Sequence, residues 1–387
     1  MENKNLSAPS TRRGFAGKRM KIGILTGGGD CPGLNAVVRG ITKSALGRGW
    51  EVLGFKDGYR GLVEKEFIRL GDSEVSGILT RGGTILGTSN TANPFAYTLP
   101  PLGSADKPAD LSKLAFKNFK ELGLGALVAI GGDGTLTMAG QLHKRGMPVV
   151  GVPKTIDNDL SATDVTFGFD SALRVATEAV DRVHTTADSH HRVMIVETMG
   201  RYAGWIALRA GIAGGGDIIL LPEIPYRAED IVNSLLARKR KGKNFSIIVA
   251  AEGARPEKGE LTVARVLKNS PDPLRLGGVS YKIAEIVDQS GAGLESRVVV
   301  LGHVQRGGEP TAFDRWLATG FGVKAADLLA RKKFGRMVSF RNFGFTDVSI
   351  AEAVGKLRLV SPDSDEVRTA LAVGACFGNS KITGRKF

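Results

Sequence analysis

The sequence predicts an α/β protein built as two three-layer α/β/α domains with mainly parallel sheets. Short apolar runs alternate with amphipathic helical stretches along the whole chain. The runs are apolar throughout instead of alternating, as parallel strands are when helices cover both faces. Length agrees: 387 residues with 42% hydrophobic content and 52 glycines suit a turn-rich chain long enough for two cores.

The elements follow in order. "KIGILTGGG" (21–29) is a buried strand running into glycines. Leu34, Val37, Val38, Ile41, Ala45 and Leu46 then recur at helical spacing. Further strands are "EVLGFKDG" (51–58), "ALVAIGGDG" (126–134), "MPVVGVPKT" (147–155) and "RVMIVETMG" (192–200). "DIILLPEIP" (217–225), "SIIVAAEG" (246–253) and "RVVVLGHV" (297–304) complete the set. Residues 98–112, "TLPPLGSADKPADLS", form a proline-rich polar loop and read as an insertion. Residues 1–19 read as a flexible basic leader without the apolar stretch of a secretory signal.

Composition excludes several classes. No apolar run approaches the roughly 20 residues that cross a bilayer, so no membrane partner is expected. Cys31 and Cys376 offer no disulfide framework and fit a reducing cytoplasm; Cys31 reads as a small packing residue instead of a nucleophile. A net charge of +14 attracts nucleic acid or phosphorylated small molecules alike. The densest basic run, "ARKRKGKNF" (237–245), lacks interleaved aromatics and reads as a solvated helix end, which speaks against nucleic acid. His184, His190 and His191 match no common zinc spacing and read as surface or interface residues.

Chemistry collects where strands end, the place where open parallel sheets bind ligands. "TGGGDCPGLN" (26–35) is not a dinucleotide fingerprint, because Pro32 stands where a glycine is required. Its strand, glycine turn and helix start still aim N–H groups at an anion, although by itself it reads equally as a tight turn. "GGDGT" (131–135) adds Asp133, placed either to hold Mg²⁺ directly or through water, or simply to cap a helix. "TRGGT" (80–84) supplies Arg81 as a clamp for a transferring phosphoryl group. Arg192, Arg201, Arg297, His303 and Arg306 flank two strands and suit a phosphate on a second substrate; Glu252 ends the strand between them.

"LTGGGDCPGLNAVVRG", "RGGTILGTS", "IGGDGT", "PKTIDNDL", "MGRYAGW" and "LGHVQRGG" occur in this order across residues 25–308. Together they resemble the phosphofructokinase family. The resemblance implies Mg²⁺-dependent transfer of a phosphoryl group to the 1-hydroxyl of fructose 6-phosphate. It also implies a homodimer or homotetramer whose sites are completed by a neighbouring subunit. The donor domain would be residues 20–168 with 305–355, and the sugar-phosphate domain 169–304 with 356–387.

Carried over by position, the resemblance makes Asp157 the general base, with Thr155 and Arg201 as its catalytic companions. Thr155 and Asp159 position the sugar and the moving phosphate. Gly28, Arg81, Gly132, Asp133, Gly134, Thr135 and Lys154 fall on the donor side, with Asp133 on the metal. Met199, Gly200, Arg201 and Glu252 fall on the sugar. His303 and Arg306 match ligands of its 6-phosphate, and Arg192 and Arg297 match arginines arriving from a neighbour. Donor identity turns on two positions. Gly134 permits a nucleotide, whereas a carboxylate there would repel its α-phosphate; Lys154 is the residue found in pyrophosphate-using members. Gly134 is the steric criterion, so ATP is the expected donor and pyrophosphate the alternative.

Overall fold

The computed structural model describes residues 20–104, 107–266 and 274–382. The expected basic leader, 1–19, lies outside the described residues. Strands are numbered β1 (Lys21–Thr26), β2 (Glu51–Phe55), β3 (Phe67–Arg69), β4 (Ala126–Gly131), β5 (Val149–Pro153), β6 (Val193–Thr198) and β7 (Ile218–Leu220). They continue as β8 (Ser246–Ala251), β9 (Val263–Val266), β10 (Leu274–Leu276), β11 (Ser296–Val300), β12 (Arg336–Arg341) and β13 (Gly344–Ser349).

Two sheets organise the chain. The larger has seven strands in the order β13-β12-β5-β4-β1-β2-β3. Its five central strands are parallel, and β13 and β3 run antiparallel at the edges. The second sheet, β11-β6-β8-β7, is parallel throughout. Every residue of β4, β5, β6 and β8 is buried, which is why their sequences carry no alternation.

Helices cover the sheets as the periodicity predicts. Leu34–Leu46 crosses Ala312–Ala330 closely: a Cβ at Gly40 would come within 2.9 Å of the Thr319 carbonyl, and one at Gly322 within 2.7 Å of the Val37 carbonyl. Only glycine allows that approach. Helix Phe169–His190 packs on the second sheet, and Ala312–Ala330 packs back on the first.

The eight strands and the helix read from the sequence are all present at their positions. Five strands escaped that reading: the β9–β10 pair, the β12–β13 hairpin and the edge strand β3. The β12–β13 hairpin mixes polar residues with its apolar ones (Ser339 in β12, Thr346 and Asp347 in β13), unlike the uniformly apolar runs, and turns through Asn342 and Phe343 at φ 48° and 60°. The edge strand β3 is only three residues long, too short for any periodicity to register.

Candidate active site

Three adjacent parallel strands, β1, β4 and β5, deliver three of the motifs to one rim. Register brings Thr26 opposite Ile130 and Gly131 opposite Pro153, so the turns that follow lie side by side. They are stitched together by Gly27 N–H donating to the Ile130 carbonyl at 2.9 Å and Lys154 N–H to the Gly131 carbonyl at 2.9 Å. Thr135 fills the space between. A Cβ at Gly27 or Gly131 would come within 2.7 or 2.5 Å of its Oγ1, so both positions exclude side chains. Tyr59 locks the threonine by donating to its carbonyl at 2.9 Å.

Gly132 accepts from Leu136 N at 3.0 Å and opens the helix Asp133–Lys144. A Cβ at Gly134 would meet nothing within 4 Å, so this position faces open space. Asp133 Oδ1 accepts from Gly355 N at 2.8 Å. Gly28 N–H donates to the Ser89 carbonyl at 3.1 Å, and Thr88 Oγ1 donates to the Gly28 carbonyl at 2.6 Å. A phosphate contact at Gly28 N–H therefore has to share or replace the Ser89 bond. Arg81 is exposed, and its carbonyl is held by Asn35 Nδ2 at 2.9 Å. The 88–89 segment, part of the "RGGTILGTS" motif but given no role of its own from sequence, is what meets the glycine turn.

Lys154 is buried beneath that turn, and its ammonium donates to the Gly29 carbonyl. Burial pushes its pKa down; Arg306 adds to the shift, while Cys31, Asp157 and Asp30 oppose it. Cys31 itself is buried and free, with its thiol pushed up to about 12 chiefly by burial, so it is an inert packing residue.

After Lys154 the chain turns sharply through the paired carboxylates. Asn158 sits at φ 53°, a left-handed conformation that asparagine tolerates better than most residues. Its Oδ1 accepts from Thr166 N at 3.1 Å, which fixes the turn from below. Asp157 N–H donates to Thr155 Oγ1 at 3.1 Å. The Asp157 Oδ1 atom is buried and has no hydrogen-bond partner among the described residues. Burial raises the Asp157 pKa, while Arg306, Lys154 and Arg201 pull it down. Asp159 is pushed up to about 7 by burial and then by the Asp157 charge.

The second sheet presents its own rim. Met199 N donates to Gln305 Oε1 at 3.3 Å; Gln305 is fully buried and donates onward to the Gly302 carbonyl at 3.0 Å. Gly200, at φ 137°, accepts from Gly253 N at 3.2 Å. A Cβ at Gly253 would lie 2.0 Å from the Arg201 carbonyl, so the turns after β6 and β8 touch backbone to backbone. Glu252 is pushed up to about 7 by burial, with Asp157 and Glu197 adding. Arg306 reaches across to the first rim, donating to the Asp30 carbonyl at 3.1 Å. His303 is exposed on the short 3₁₀ turn Gly302–Arg306.

The structure thus brings together Gly28, Gly132, Asp133, Gly134, Thr135, Lys154, Thr155, Asp157, Asp159, Met199, Gly200, Arg201, Glu252 and Arg306. It separates Arg192 and Arg297 from them. These two lie where β6 and β11 begin, and Arg192 binds Glu295 through two bonds of 3.1 Å while Arg297 pairs with the same carboxylate. A strand of six residues puts them about 20 Å from the rim of their own chain. Asn35, Asn158, Thr166 and Gln305 are buried polar groups that position the motifs. Their signal in the sequence was weak, because an amide inside a motif looks the same whether it binds a ligand or braces a turn.

Two facing rims, one lined by glycine turns and a carboxylate and the other by arginines, suit a polyphosphate donor opposite a phosphorylated acceptor. The phosphofructokinase family model matches residues 21–329. The chain belongs to the phosphofructokinase family. It is 51% identical over 360 residues to the ATP-dependent 6-phosphofructokinase 2 of Clostridium perfringens, covering 93% of this chain and 98% of that protein. It is also 47% identical over 361 residues to the pyrophosphate–fructose 6-phosphate 1-phosphotransferase of Streptomyces coelicolor, covering 93% of this chain and all of that one (100%). The T-state phosphofructokinase of Pichia pastoris superposes with a TM-score of 0.74 at 32% identity, over 92% of this chain and 36% of that longer one. Relatives named ATP-dependent reach 51% identity and the Streptomyces relative named for pyrophosphate 47%, so the comparisons favour the ATP-dependent reading.

Proposed function

We propose that this chain is an ATP-dependent 6-phosphofructokinase, transferring the γ-phosphoryl group of ATP to the 1-hydroxyl of fructose 6-phosphate. The observation that carries the reading is Asp157: a buried, unpartnered carboxylate oxygen between the cations Lys154, Arg201 and Arg306. Such an atom is costly to leave unsatisfied, and a substrate hydroxyl is the partner it lacks. Asp157 accepts the proton of the sugar 1-hydroxyl as that oxygen attacks the γ-phosphorus. The bond from γ-phosphorus to the bridging oxygen breaks, and ADP leaves with the electron pair. Lys154 and Arg201 stabilise charge on the transferring group, in a reaction that asks more of positioning and electrostatics than of base strength.

Asp133 is the residue we assign to Mg²⁺. A single carboxylate beside a polyphosphate fits the way this ion binds, through one or two carboxylates, substrate phosphates and waters. Bound there, the ion supplies charge neutralisation between the donor phosphates. Met199, Gly200, Glu252, His303 and Arg306 are assigned to the sugar phosphate. We divide the chain into a donor domain, 20–168 with 305–355, and a sugar domain, 169–304 with 356–387, of which 383–387 lie outside the described residues. Arg192 and Arg297, remote from the rim of their own chain, are assigned to the site of a second copy, so the active unit is a homo-oligomer. Free cysteines suit a cytoplasmic setting.

The open space at Gly134 favours ATP, because a nucleotide α-phosphate needs the room an aspartate would take. Lys154 favours the second reading, pyrophosphate, and the Streptomyces relative keeps it alive. Fructose 1,6-bisphosphate formation with each donor separately decides. Turnover with ATP alone supports the proposal, and turnover with pyrophosphate alone replaces ATP as donor.

A further inference from the structure

Among the described residues the chain passes between the two sheets three times. The first passage, 154–168, contains the Asp157–Asp159 turn. The second, 301–311, contains His303 and Arg306. The third, 354–364, follows the short helix Ile350–Ala353 and carries no motif. It is nevertheless tied to the site as closely as the other two. Gly355 N donates to Asp133 Oδ1 at 2.8 Å, and Leu357 forms an antiparallel bridge with Leu160. Arg358 N donates to the Asp159 carbonyl at 2.8 Å. Trp205 Nε1 donates to the Arg358 carbonyl at 2.8 Å, and the Arg358 guanidinium lies 4.5 Å from the indole centre. Val360 N donates to Glu223 Oε1 at 2.8 Å, and the same carboxylate takes Gly204 N at 3.0 Å. Six residues therefore touch the metal-side carboxylate, the base turn, and the turn and helix that follow Arg201.

Apolar burial anchors only the far end of this path, at Val360, which is buried in the core. Leu357 and Leu359 are 39% and 49% exposed, so the stretch before it is held by hydrogen bonds and the stacked arginine. We propose that residues 355–360 are a third active-site crossover: a strap, clasped by Trp205 on Arg358, that holds Asp133 and the Asp157–Asp159 turn in register with the Met199–Gly204 turn. The proposal rests on the assignment of those turns to catalysis. Trp205 and Arg358 are positioning residues, acting through the carboxylates and not on the substrate.

The test uses the full-length enzyme. Trp205→Phe keeps the ring and removes the N–H, and Arg358→Met removes the cation. For each, kcat, its pH midpoint and the thermal midpoint are measured, together with fructose 6-phosphate affinity by calorimetry without donor or metal. Both variants are expected to lose about tenfold in kcat, since small displacements of reacting groups cost that much or more. Sugar affinity falls about threefold, the pH midpoint moves, and Arg358→Lys recovers most of the loss because it keeps a cation over the indole. Wild-type kcat, affinity and pH midpoint with only a lowered thermal midpoint overturn the proposal and leave a plain connector. Should Trp205→Phe fail to fold, the Arg358→Met and Arg358→Lys pair decides on the same criteria. Asp157→Ala, run alongside, keeps the questions apart: an active Asp157→Ala overturns the catalytic assignment, whereas an inactive one beside unaffected strap variants overturns the strap alone.

Discussion

Asp157, Asp159 and Glu252 crowd three carboxylates into one site, and their protonation has consequences that can be measured. Asp159 and Glu252 are both pushed up to about 7. Carboxylates in an unfolded chain titrate near 4, so between about 4 and 7 the folded protein holds more protons than the unfolded one. The stability these groups contribute is complete below the unfolded value and is lost as pH rises through the folded value. The thermal midpoint of the ligand-free enzyme should accordingly fall between about pH 4 and 7, and Glu252→Gln should flatten that fall. Activity runs the other way, because the base must be ionised and burial raises the Asp157 pKa above the usual carboxylate range: kcat should rise with pH on the acidic side. Asp157→Ala should reduce kcat by about 10² to 10⁴, the usual worth of a general base, while far-ultraviolet dichroism stays unchanged. Donor choice is also a matter of single residues. Gly134→Asp should cut ATP turnover at least about tenfold, by placing a negative charge against the α-phosphate. Equal ATP turnover in that variant would remove Gly134 as the determinant.

At the level of elements, the strand ends do the work and the helices brace them. Thr135 forbids side chains at Gly27 and Gly131, Asn35 holds the 81–85 loop, and Gln305 holds Met199. Apart from Thr135 against Gly131 in the same turn, none of these couplings follows from spacing, since the partners are far apart in the chain and meet only in the folded structure. The β12–β13 hairpin offers a check on local strain. Phe343 is 96% exposed at a left-handed φ of 60°, where a β-carbon costs about 1–2 kcal/mol. Phe343→Gly, giving the favoured Asn-Gly turn, should therefore raise the thermal midpoint by a few degrees. A lowered midpoint would show that the aromatic ring makes a compensating contact.

At the level of the whole molecule, one chain brings together all but a few of its assigned site residues. Arg192 and Arg297 belong to the opposite end of the strands of the second sheet, where they share Glu295. A site completed by a second copy predicts complementation. Asp157→Ala and Arg192→Ala should each be nearly inactive alone, and mixed refolding should restore a fraction of wild-type activity through hybrid oligomers. No recovery on mixing would place Arg192 outside the site.

The sequence by itself determined the α/β class, the positions of the buried strands and the family, because apolar runs and glycine-marked turns are local signals. It also determined which turns carry charge, since Lys154, Asp157 and Asp159 are neighbours along the chain. What only the tertiary structure decided is which of those turns meet. Parallel register aligns the ends of β1, β4 and β5, and Arg306 crosses from the other sheet to Asp30, contacts that depend on strand order and not on spacing. The raised pKa values of Asp159 and Glu252, the exposure of Arg81 and the path of 355–360 over Asp133 and Asp159 belong to the same class. Each arises from residues distant in sequence being brought into one poorly solvated space, which no local pattern encodes.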